Sequence, residues 1–277
     1  MDEKKVALIT GGTDGIGKAT AKKLLIKGWK VVIIGRNKLK CNETVSELKN
    51  ITQNQDISSI LADLSLLSDV KRASEEFISS HKKLDFLFLN ANALKQERTI
   101  TKEGMEWHLA LIHLSRSLMA KKLEVVMNAT PGSQILTVVG LSLFPIDYDD
   151  LLIEKGYSAM KALSRYQWAV LLYSREFNQR CRVPMNIYMP GLVKTKILKN
   201  EPQPMRFIVK IANLIMGMPV EKSAENIYSV INDVIANQRK GIYYSINKIK
   251  PYPLIKISTT ESNRVWDLTN ELISKYL

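Results

Sequence analysis

A glycine-rich stretch near the amino terminus has the spacing of a phosphate-binding turn. Residues 10–17 read TGGTDGIG, after an apolar run at 5–9 that is short enough for one buried strand and before helical spacing at 18–25. Glycines let the backbone turn tightly and approach a pyrophosphate without a Cβ in the way. The helix that follows would direct its N–H groups and the positive end of its dipole at that phosphate. This order of strand, turn and helix predicts a dinucleotide site, against the alternative of a plain tight turn.

The end of the second predicted strand favours a cofactor that carries a 2′-phosphate. Residues 31–34 form an apolar strand that ends at Gly35, Arg36 and Asn37. An acidic side chain at this position would hydrogen-bond the hydroxyls of the adenosine ribose. No acid is present, and the Arg36 guanidinium suits a phosphate, although an arginine at a strand end is often only solvated. The sequence therefore predicts NADP(H) as the cofactor.

The composition predicts one α/β domain over residues 1–277, because 45% of the residues are hydrophobic and a chain of this length can bury one large core. Two cysteines provide no disulfide framework, which indicates a reducing compartment. We expect no signal peptide, because the first strand begins about five residues into the chain. No run of 18 apolar residues offers a transmembrane helix. These features predict a cytoplasmic protein.

The net charge of +13 is compatible with an anionic ligand. Residues 1–50, which surround the predicted phosphate site, hold 11 Lys or Arg against 5 Asp or Glu. Such a surplus suits an anionic cofactor, whereas the charge of the whole chain is also that of a lysine-rich solvated surface. We find no nucleic-acid-binding module and no zinc-ligand spacing in the sequence, so we expect neither nucleic acid nor a metal as a partner.

The glycine spacing T-G-x-x-x-G-x-G has one residue more between the first two glycines than the usual dinucleotide fingerprint, and it resembles that of short-chain dehydrogenases/reductases. The resemblance runs from about residue 4 to residue 275. Residues 104–114 and 167–177 resemble the retinol-dehydrogenase branch in particular. The resemblance implies an α/β fold of the Rossmann type, with a doubly wound parallel sheet of about seven strands and helices on both faces.

The resemblance also implies which residues hold the cofactor. Residues 63–64 follow the third predicted strand and would border the adenine, although an Asp after a strand is more often a helix cap. Residues 90–91 follow the fourth strand beside the nicotinamide ribose, and the turn at 190–195 would lie over the nicotinamide carboxamide. The expected cofactor-binding residues are Gly11, Thr13, Asp14, Gly15, Ile16, Gly17, Arg36, Asn37, Asp63, Leu64, Asn90, Ala91, Pro190, Gly191, Val193 and Thr195.

Catalysis in this family needs a Tyr and a Lys one helical turn later, so that both side chains lie on the same helix face. The ammonium lowers the pKa of the phenol from about 10, and the Tyr passes a proton as the nicotinamide passes a hydride. Tyr157 and Lys161 have this spacing in a long helix predicted over residues 157–178. A first interpretation makes Tyr157 the acid/base, Lys161 its partner and Ser142, 15 residues upstream, the substrate hydrogen-bond donor.

A second interpretation follows from residues 167–177, which match the retinol-dehydrogenase helix without a gap. In that register the catalytic Tyr and Lys places fall on Leu163 and Gln167. The serine place falls on Gly140, and Ile112 replaces an Asn that positions a proton-relay water, so that all the catalytic groups are absent. The two interpretations exclude each other, because six residues turn a helix by about 600° and place the two pairs on different faces.

The apolar, methionine-bearing segment at residues 198–220 lies where the family keeps a substrate lid, and its composition indicates a lipophilic substrate. A membrane-surface helix and a core element are alternatives for it, so peripheral membrane contact stays open, as does a homodimer. The sequence thus leaves two functions. One is an NADP(H)-dependent oxidoreductase that acts on the carbonyl or alcohol of a small lipophilic molecule. The other is a catalytically impaired protein of the same fold that binds NADP(H) and serves as a binding or scaffold protein.

Overall fold

A single eight-stranded sheet forms the centre of the computed structural model, which describes residues 3–140, 142–195, 217–250 and 258–277. The strands are β1 (Val6–Thr10), β2 (Lys30–Gly35), β3 (Ile57–Leu61), β4 (Phe86–Leu89), β5 (Gln134–Val138), β6 (Met185–Met189), β7 (Tyr243–Ser245) and β8 (Lys248–Lys250). Their order across the sheet is β3-β2-β1-β4-β5-β6-β7-β8. The pairs from β3 to β7 are parallel, whereas β8 runs antiparallel to β7.

Helices connect the strands and cover the sheet. The helical segments are α1 (Gly15–Ile26), α2 (Lys38–Thr52), α3 (Leu67–Ser80), a π-helical turn (Leu109–Leu114) that continues into α4 (Ser115–Asn128), α5 (Ala159–Arg180), α6 (Val220–Ala236), α7 (Thr259–Ile273) and a final 3-10 turn (Ser274–Tyr276). Within the described ranges, none of these helices combines the length and the apolarity needed to cross a bilayer.

Successive residues of β1 face opposite layers of helices. Val6 and Leu8 belong to the core formed with α3, α4, α5 and α7, whereas Ala7 and Ile9 belong to the core formed with α1, α2 and α6. All four side chains are buried. A strand that is apolar at every position is typical of a sheet covered on both faces, because side chains alternate between the faces. The predicted doubly wound fold with helices on both faces is confirmed.

The strand β8 is the part of the sheet that the sequence did not reveal. It has three residues, all of them exposed, and a two-residue turn at 246–247 joins it to β7. Ile246 has a φ of 63° in this turn, where hairpins of this kind usually have glycine. Because neither a glycine nor an apolar alternation marks this hairpin, the sheet has eight strands instead of about seven.

The strand order places a crevice where β1 and β4 lie side by side. The chain runs from β1 to β2 on one side, and β4 lies on the other side. In open α/β sheets this reversal leaves a ligand crevice at the carboxyl ends of the strands. The segments after β1, β4, β5 and β6 carry most of the predicted site residues and leave the sheet at this edge. The predicted lid at 198–220 lies outside the described residues as far as 216.

Candidate active site

The glycine loop between β1 and α1 has the backbone geometry of a close-approach site. Gly11 and Gly15 have φ angles of 67° and 49°, which L side chains rarely adopt. A Cβ on Gly17 would lie 2.3 Å from the Gly11 carbonyl oxygen, so no side chain fits there. The three glycines keep the amino-terminal end of α1 clear of bulk, and this cradle fits the pyrophosphate of a dinucleotide.

Two other loop residues anchor the loop to the protein. A Cβ on Gly35, the last residue of β2, would lie 2.7 Å from Thr13 Cγ2, so Thr13 lies against the end of that strand. Ile16, the second residue of α1, is partly buried and packs on the core formed with α1, α2 and α6. The loop and the start of α1 are therefore packed against the protein at two points.

The amino-terminal end of α1 also has a carboxylate close to it. The Gly15 N–H donates to Asp14 Oδ1 at 2.8 Å, and Lys40 Nζ lies 2.8 Å from Asp14 Oδ2. The ammonium therefore offsets the carboxylate charge beside the predicted phosphate site. Lys40 lies in the first turn of α2, where its N–H donates to the N-cap Asn37 at 2.9 Å. Arg36 is exposed immediately before this cap, so basic side chains lie where the adenosine is predicted to bind.

The last residue of β1 ties the glycine loop to the end of β4. The N–H groups of Asn90 and Ala91 donate to Thr10 Oγ1 at 2.8 and 3.0 Å. The Asn90 amide donates in turn to the Thr10 carbonyl oxygen at 3.1 Å. Thr10 was not among the predicted site residues, although it is the first residue of the glycine pattern itself. It fixes the two predicted contact residues after β4 at the crevice.

The Asp after β3 does not cap α3. Asp63 Oδ1 accepts the N–H and the hydroxyl of Ser65 at 2.9 and 2.7 Å. The first N–H groups of α3 donate instead to the Glu103 carboxylate, at 2.6 and 2.9 Å. The helix-cap alternative for Asp63 is therefore wrong. Residues 63–64 lie in an ordered turn at the carboxyl end of β3, and their contact with an adenine stays a prediction.

The turn after β6 approaches the glycine loop. Pro190 and Val193 are buried, and Gly191 has a φ of 72°. A Cβ on Gly15 would lie 3.4 Å from Thr195 Cγ2, which is van der Waals contact. The predicted carboxamide turn and the predicted phosphate loop thus close on each other at the same edge of the sheet.

A glycine and a glutamine are in contact where the second interpretation places the catalytic Ser and Lys. The Gly140 N–H donates to Gln167 Oε1, and a Cβ on Gly140 would lie 2.8 Å from the same oxygen. A serine at 140 would require the Gln167 side chain to move. Leu163 is half-buried one helical turn before Gln167, and Ile112 is fully buried in the π-helical turn. The structure brings Gly140 and Gln167 together.

The prediction that Tyr157 and Lys161 lie one turn apart on the same helix is wrong. Helix α5 begins two residues after Tyr157 with Ser158 as its N-cap, and Ser158 Oγ accepts the Lys161 N–H at 3.2 Å. Serine is a strong N-cap, so the helix starts after it and Tyr157 stays in the preceding loop. Lys161 Nζ and Ser142 Oγ each bond a backbone carbonyl, at 3.3 and 3.4 Å. The described contacts do not join the three residues of the first interpretation.

The half-buried Tyr157 side chain contacts a polar cluster that includes the buried residues Glu106 and His108. Its hydroxyl donates to the Lys95 carbonyl oxygen at 3.0 Å and lies 3.3 Å from His108 Nδ1. The Lys95 N–H donates to His108 Nε2 at 3.2 Å, which assigns the ring proton to Nδ1 and directs it at Glu106 Oε1, 3.0 Å away. Burial and the Glu106 charge raise the pKa of Tyr157 to about 12. This is the opposite of the shift that an acid/base needs.

A buried arginine behind the crevice was missed in the sequence. Arg116 is 4% exposed, and its guanidinium donates to the carbonyl oxygens of Ala91, at 2.9 Å, and Val138. It follows Ile112 by four residues, and this helical spacing is the signal by which it could have been found. Arg116 thus braces the ends of β4 and β5.

The chain matches a known sequence family and several curated relatives. The profile described as short chain dehydrogenase matches residues 5–142. Polyprenol dehydrogenase of Homo sapiens is 28% identical over 239 residues, which are 82% of this chain and 72% of that protein. Retinol dehydrogenase 12 of Mus musculus is 31% identical over 201 residues, which are 71% of this chain and 64% of that protein. The chain thus matches less than two thirds of the length of some of these relatives.

Solved structures share the fold. An alcohol dehydrogenase from Thermococcus sibiricus complexed with 5-hydroxy-NADP has a TM-score of 0.65 at 18% identity, with 92% of this chain and all of that chain covered. An NADPH-dependent 3-quinuclidinone reductase from Rhodotorula rubra has a TM-score of 0.69 at 18% identity, with 88% and 90% covered. Identity at this level shows the fold alone, and the profile and the curated relatives supply the family. The chain belongs to the short-chain dehydrogenase/reductase family, whose members are generally NAD(P)-dependent oxidoreductases.

Proposed function

We propose that this chain binds NADP(H) as its family does and has lost the family's tyrosine-dependent hydride transfer. The observation that carries this proposal is the hydrogen bond from the Gly140 N–H to Gln167 Oε1. This contact favours the register in which Leu163 stands in the place of the acid/base and Gln167 in the place of its cation. When bound, the nicotinamide supplies or accepts a hydride. In this register, Leu163, Gln167, Gly140 and Ile112 do not supply a group that could move the accompanying proton.

The chemistry of each substituted position supports a binding role. The Leu163 side chain is a hydrocarbon and can neither give nor take a proton. The Gln167 amide is neutral and cannot lower the pKa of a phenol, although its Nε2 group can still donate a hydrogen bond to a ribose hydroxyl. Gly140 has no hydroxyl to orient a carbonyl oxygen, and Ile112 has no polar atom to hold a water. These residues can retain the cofactor but cannot complete the reaction.

The residues that would hold the cofactor are better preserved. The glycine loop offers the backbone cradle for the pyrophosphate, and Asn90 is held beside it by Thr10. Arg36 is exposed at the end of β2, where an acid would favour NAD, and its guanidinium suits the 2′-phosphate of NADP(H). The preference for NADP(H) is therefore part of the proposal.

The second ligand that we propose is a lipophilic alcohol or carbonyl compound. Relatives of this chain carry the names polyprenol dehydrogenase and retinol dehydrogenase, and both name a long apolar alcohol. The segment at 198–220, where the family keeps its substrate lid, is apolar in sequence. The protein would then bind such a molecule, or a partner, in a manner that depends on NADP(H).

A second candidate function is an active oxidoreductase that uses Tyr157. The observation that favours it is the contact of the Tyr157 hydroxyl with His108, which is paired with the buried Glu106 carboxylate. The phenol and the carboxylate both contact His108 Nδ1, so this imidazole could exchange a proton with Tyr157, although the raised pKa of Tyr157 opposes this at neutral pH.

The deciding experiment measures binding and turnover separately. NADPH binding is followed by fluorescence, and turnover is measured on a panel of lipophilic aldehydes, ketones and alcohols. We expect saturable binding with turnover at the protein-free rate. We also expect the combined variant Gly140→Ser, Leu163→Tyr and Gln167→Lys to raise turnover, while Tyr157→Phe changes neither quantity. Wild-type turnover that falls by about 10²–10⁴-fold in Tyr157→Phe would instead establish the second candidate.

A further inference from the structure

A buried guanidinium lies directly behind the part of the crevice that would hold the nicotinamide. Arg116 donates to the Ala91 carbonyl oxygen at 2.9 Å, to Thr137 Oγ1 at 3.4 Å and to the Val138 carbonyl oxygen. These partners lie at or immediately after the carboxyl ends of β4 and β5. Ala91 is also held to Thr10 at the end of β1, on the other side of the crevice. Thus only the backbone at the ends of β4 and β5 lies between the guanidinium and the part of the crevice that is predicted to hold the nicotinamide.

The charge of Arg116 has no acidic partner within the described part of the chain. None of the ion pairs found among these residues includes it, and all of its hydrogen-bond acceptors are neutral oxygens. Burial lowers the pKa of Arg116 to about 9, which leaves the guanidinium charged at neutral pH. Nearby, burial and Arg116 lower the pKa of His113 to about 3, so that ring is neutral. The region carries one uncompensated positive charge, and in a desolvated setting such a charge acts strongly on its neighbours.

We propose that Arg116 makes the site select the reduced cofactor, NADPH, over NADP⁺. The inference rests on the proposed function, since it concerns the same cofactor site. The oxidised nicotinamide ring carries a positive charge and the reduced ring is neutral. A buried cation behind the ring therefore raises the free energy of the oxidised complex and leaves that of the reduced complex almost unchanged. The loaded state of the protein would then report the supply of NADPH.

Three ligands and two variants test this selection on the full chain. NADPH, NADP⁺ and 2′-phospho-ADP-ribose, which lacks the nicotinamide, are titrated by calorimetry into the wild type, Arg116→Lys and Arg116→Gln. Lys keeps the charge, whereas Gln removes it and keeps an amide donor toward the Ala91 carbonyl. We expect the wild type and Arg116→Lys to bind NADPH about tenfold more tightly than NADP⁺, the scale of one partly screened charge pair. In Arg116→Gln the ratio should fall to near one, with the affinity for 2′-phospho-ADP-ribose unchanged.

Each other outcome contradicts a specific statement. A wild-type ratio near one overturns the selection, and this measurement decides alone if Arg116→Gln does not fold. Equal weakening of all three ligands in Arg116→Gln also overturns it, because the arginine would then only brace the strands. If none of the three ligands binds the wild type, the proposed function fails instead, so the two failures are distinguishable.

Discussion

The phosphate side of the crevice and its catalytic side are built from different parts of the chain's chemistry. On the phosphate side, Gly11, Gly15 and Gly17 have the angles and contacts that a pyrophosphate cradle needs. On the catalytic side, the Gly140 N–H donates to Gln167 Oε1, at the positions that we propose correspond to the family's serine and lysine. The first side is made by backbone and the second by side-chain functional groups. Binding and chemistry can therefore separate in one fold, because side chains change without disturbing the turn that holds the phosphate.

Residues on the catalytic side also constrain one another. A Cβ at Gly140 would crowd Gln167 Oε1, so a serine at 140 fits only when the glutamine moves. Arg116, four residues after Ile112, supplies donors to the ends of β4 and β5. The catalytic side of the crevice is thus well packed and hydrogen-bonded. In the proposed register, introducing one reactive group alone should do little, because Gly140 and Gln167 constrain each other.

The largest expected effect comes from a variant that disrupts the glycine loop. Gly15→Val places a β-branched side chain at a φ of 49° beside the predicted pyrophosphate, and NADPH affinity should fall by at least about a hundredfold. The matched control is Gly132→Val, at a φ of 74° in the turn before β5. Both variants should lose stability in thermal melts, but only the first should lose NADPH in a fluorescence titration. Normal NADPH binding by Gly15→Val would move the site away from this loop.

The next effect tests the predicted adenosine end of the phosphate side. Arg36→Ala removes the guanidinium that we assign to the 2′-phosphate, so NADPH affinity should fall by about tenfold while NADH affinity stays constant. Lys49→Ala, in the last turn of helix α2, which follows Arg36, removes an equal charge far from the predicted phosphate site and serves as the control. Equal affinities of the wild type for NADPH and NADH would contradict the assignment.

A pH titration tests whether the catalytic side of the crevice behaves as buried structural core. The folded pKa of His113, about 3, lies below the unfolded value of about 6.5, so the unfolded chain binds more protons between these values. The free energy of unfolding should therefore fall as the pH drops from about 6.5 toward 3, by about 1 kcal/mol per pH unit from this group. His113→Gln should flatten the slope in urea melts. A slope that is the same in the variant would show that His113 is not held neutral.

The smallest effect concerns the rival tyrosine. Tyr157→Phe removes the hydrogen bond to the Lys95 carbonyl, which should cost about 1 kcal/mol in the free energy of unfolding. NADPH affinity should not change, because the hydroxyl faces His108 and Lys95 in the loop cluster. Phe144→Ala, on the exposed loop after β5, is a control for disturbance of this region. A large loss of NADPH affinity in Tyr157→Phe would place the hydroxyl at the cofactor.

Much of the phosphate side could be predicted from the sequence, because the patterns that indicate it are local. The glycine pattern, the strand before it and the helix after it are adjacent in the chain, and the fold follows from repeated strand-helix units. Arg36 likewise follows its strand directly. The contact of Thr10 with Asn90 crosses 80 residues, and no local pattern announces it.

On the catalytic side, the sequence left two possible registers for a physical reason. Tyr157 and Lys161 have the spacing of a helical pair, and so do Leu163 and Gln167, but spacing does not say where a helix begins. Ser158 ends that ambiguity by capping α5, which leaves Tyr157 outside the helix. The position of Lys161 Nζ on loop carbonyls follows from the same cap.

The sequence by itself determined the class of fold, the glycine loop between β1 and α1 and the basic residue after β2, since each depends on neighbours in the chain. Only the tertiary structure decided which residues stand together at the end of β5, because Gly140 and Gln167 are 27 residues apart and meet through packing. It also decided that Arg116 is buried behind Ala91 without an acidic partner in the described chain. Burial and long-range contacts set the charge and the proton affinity of a site, and these are properties of the folded arrangement.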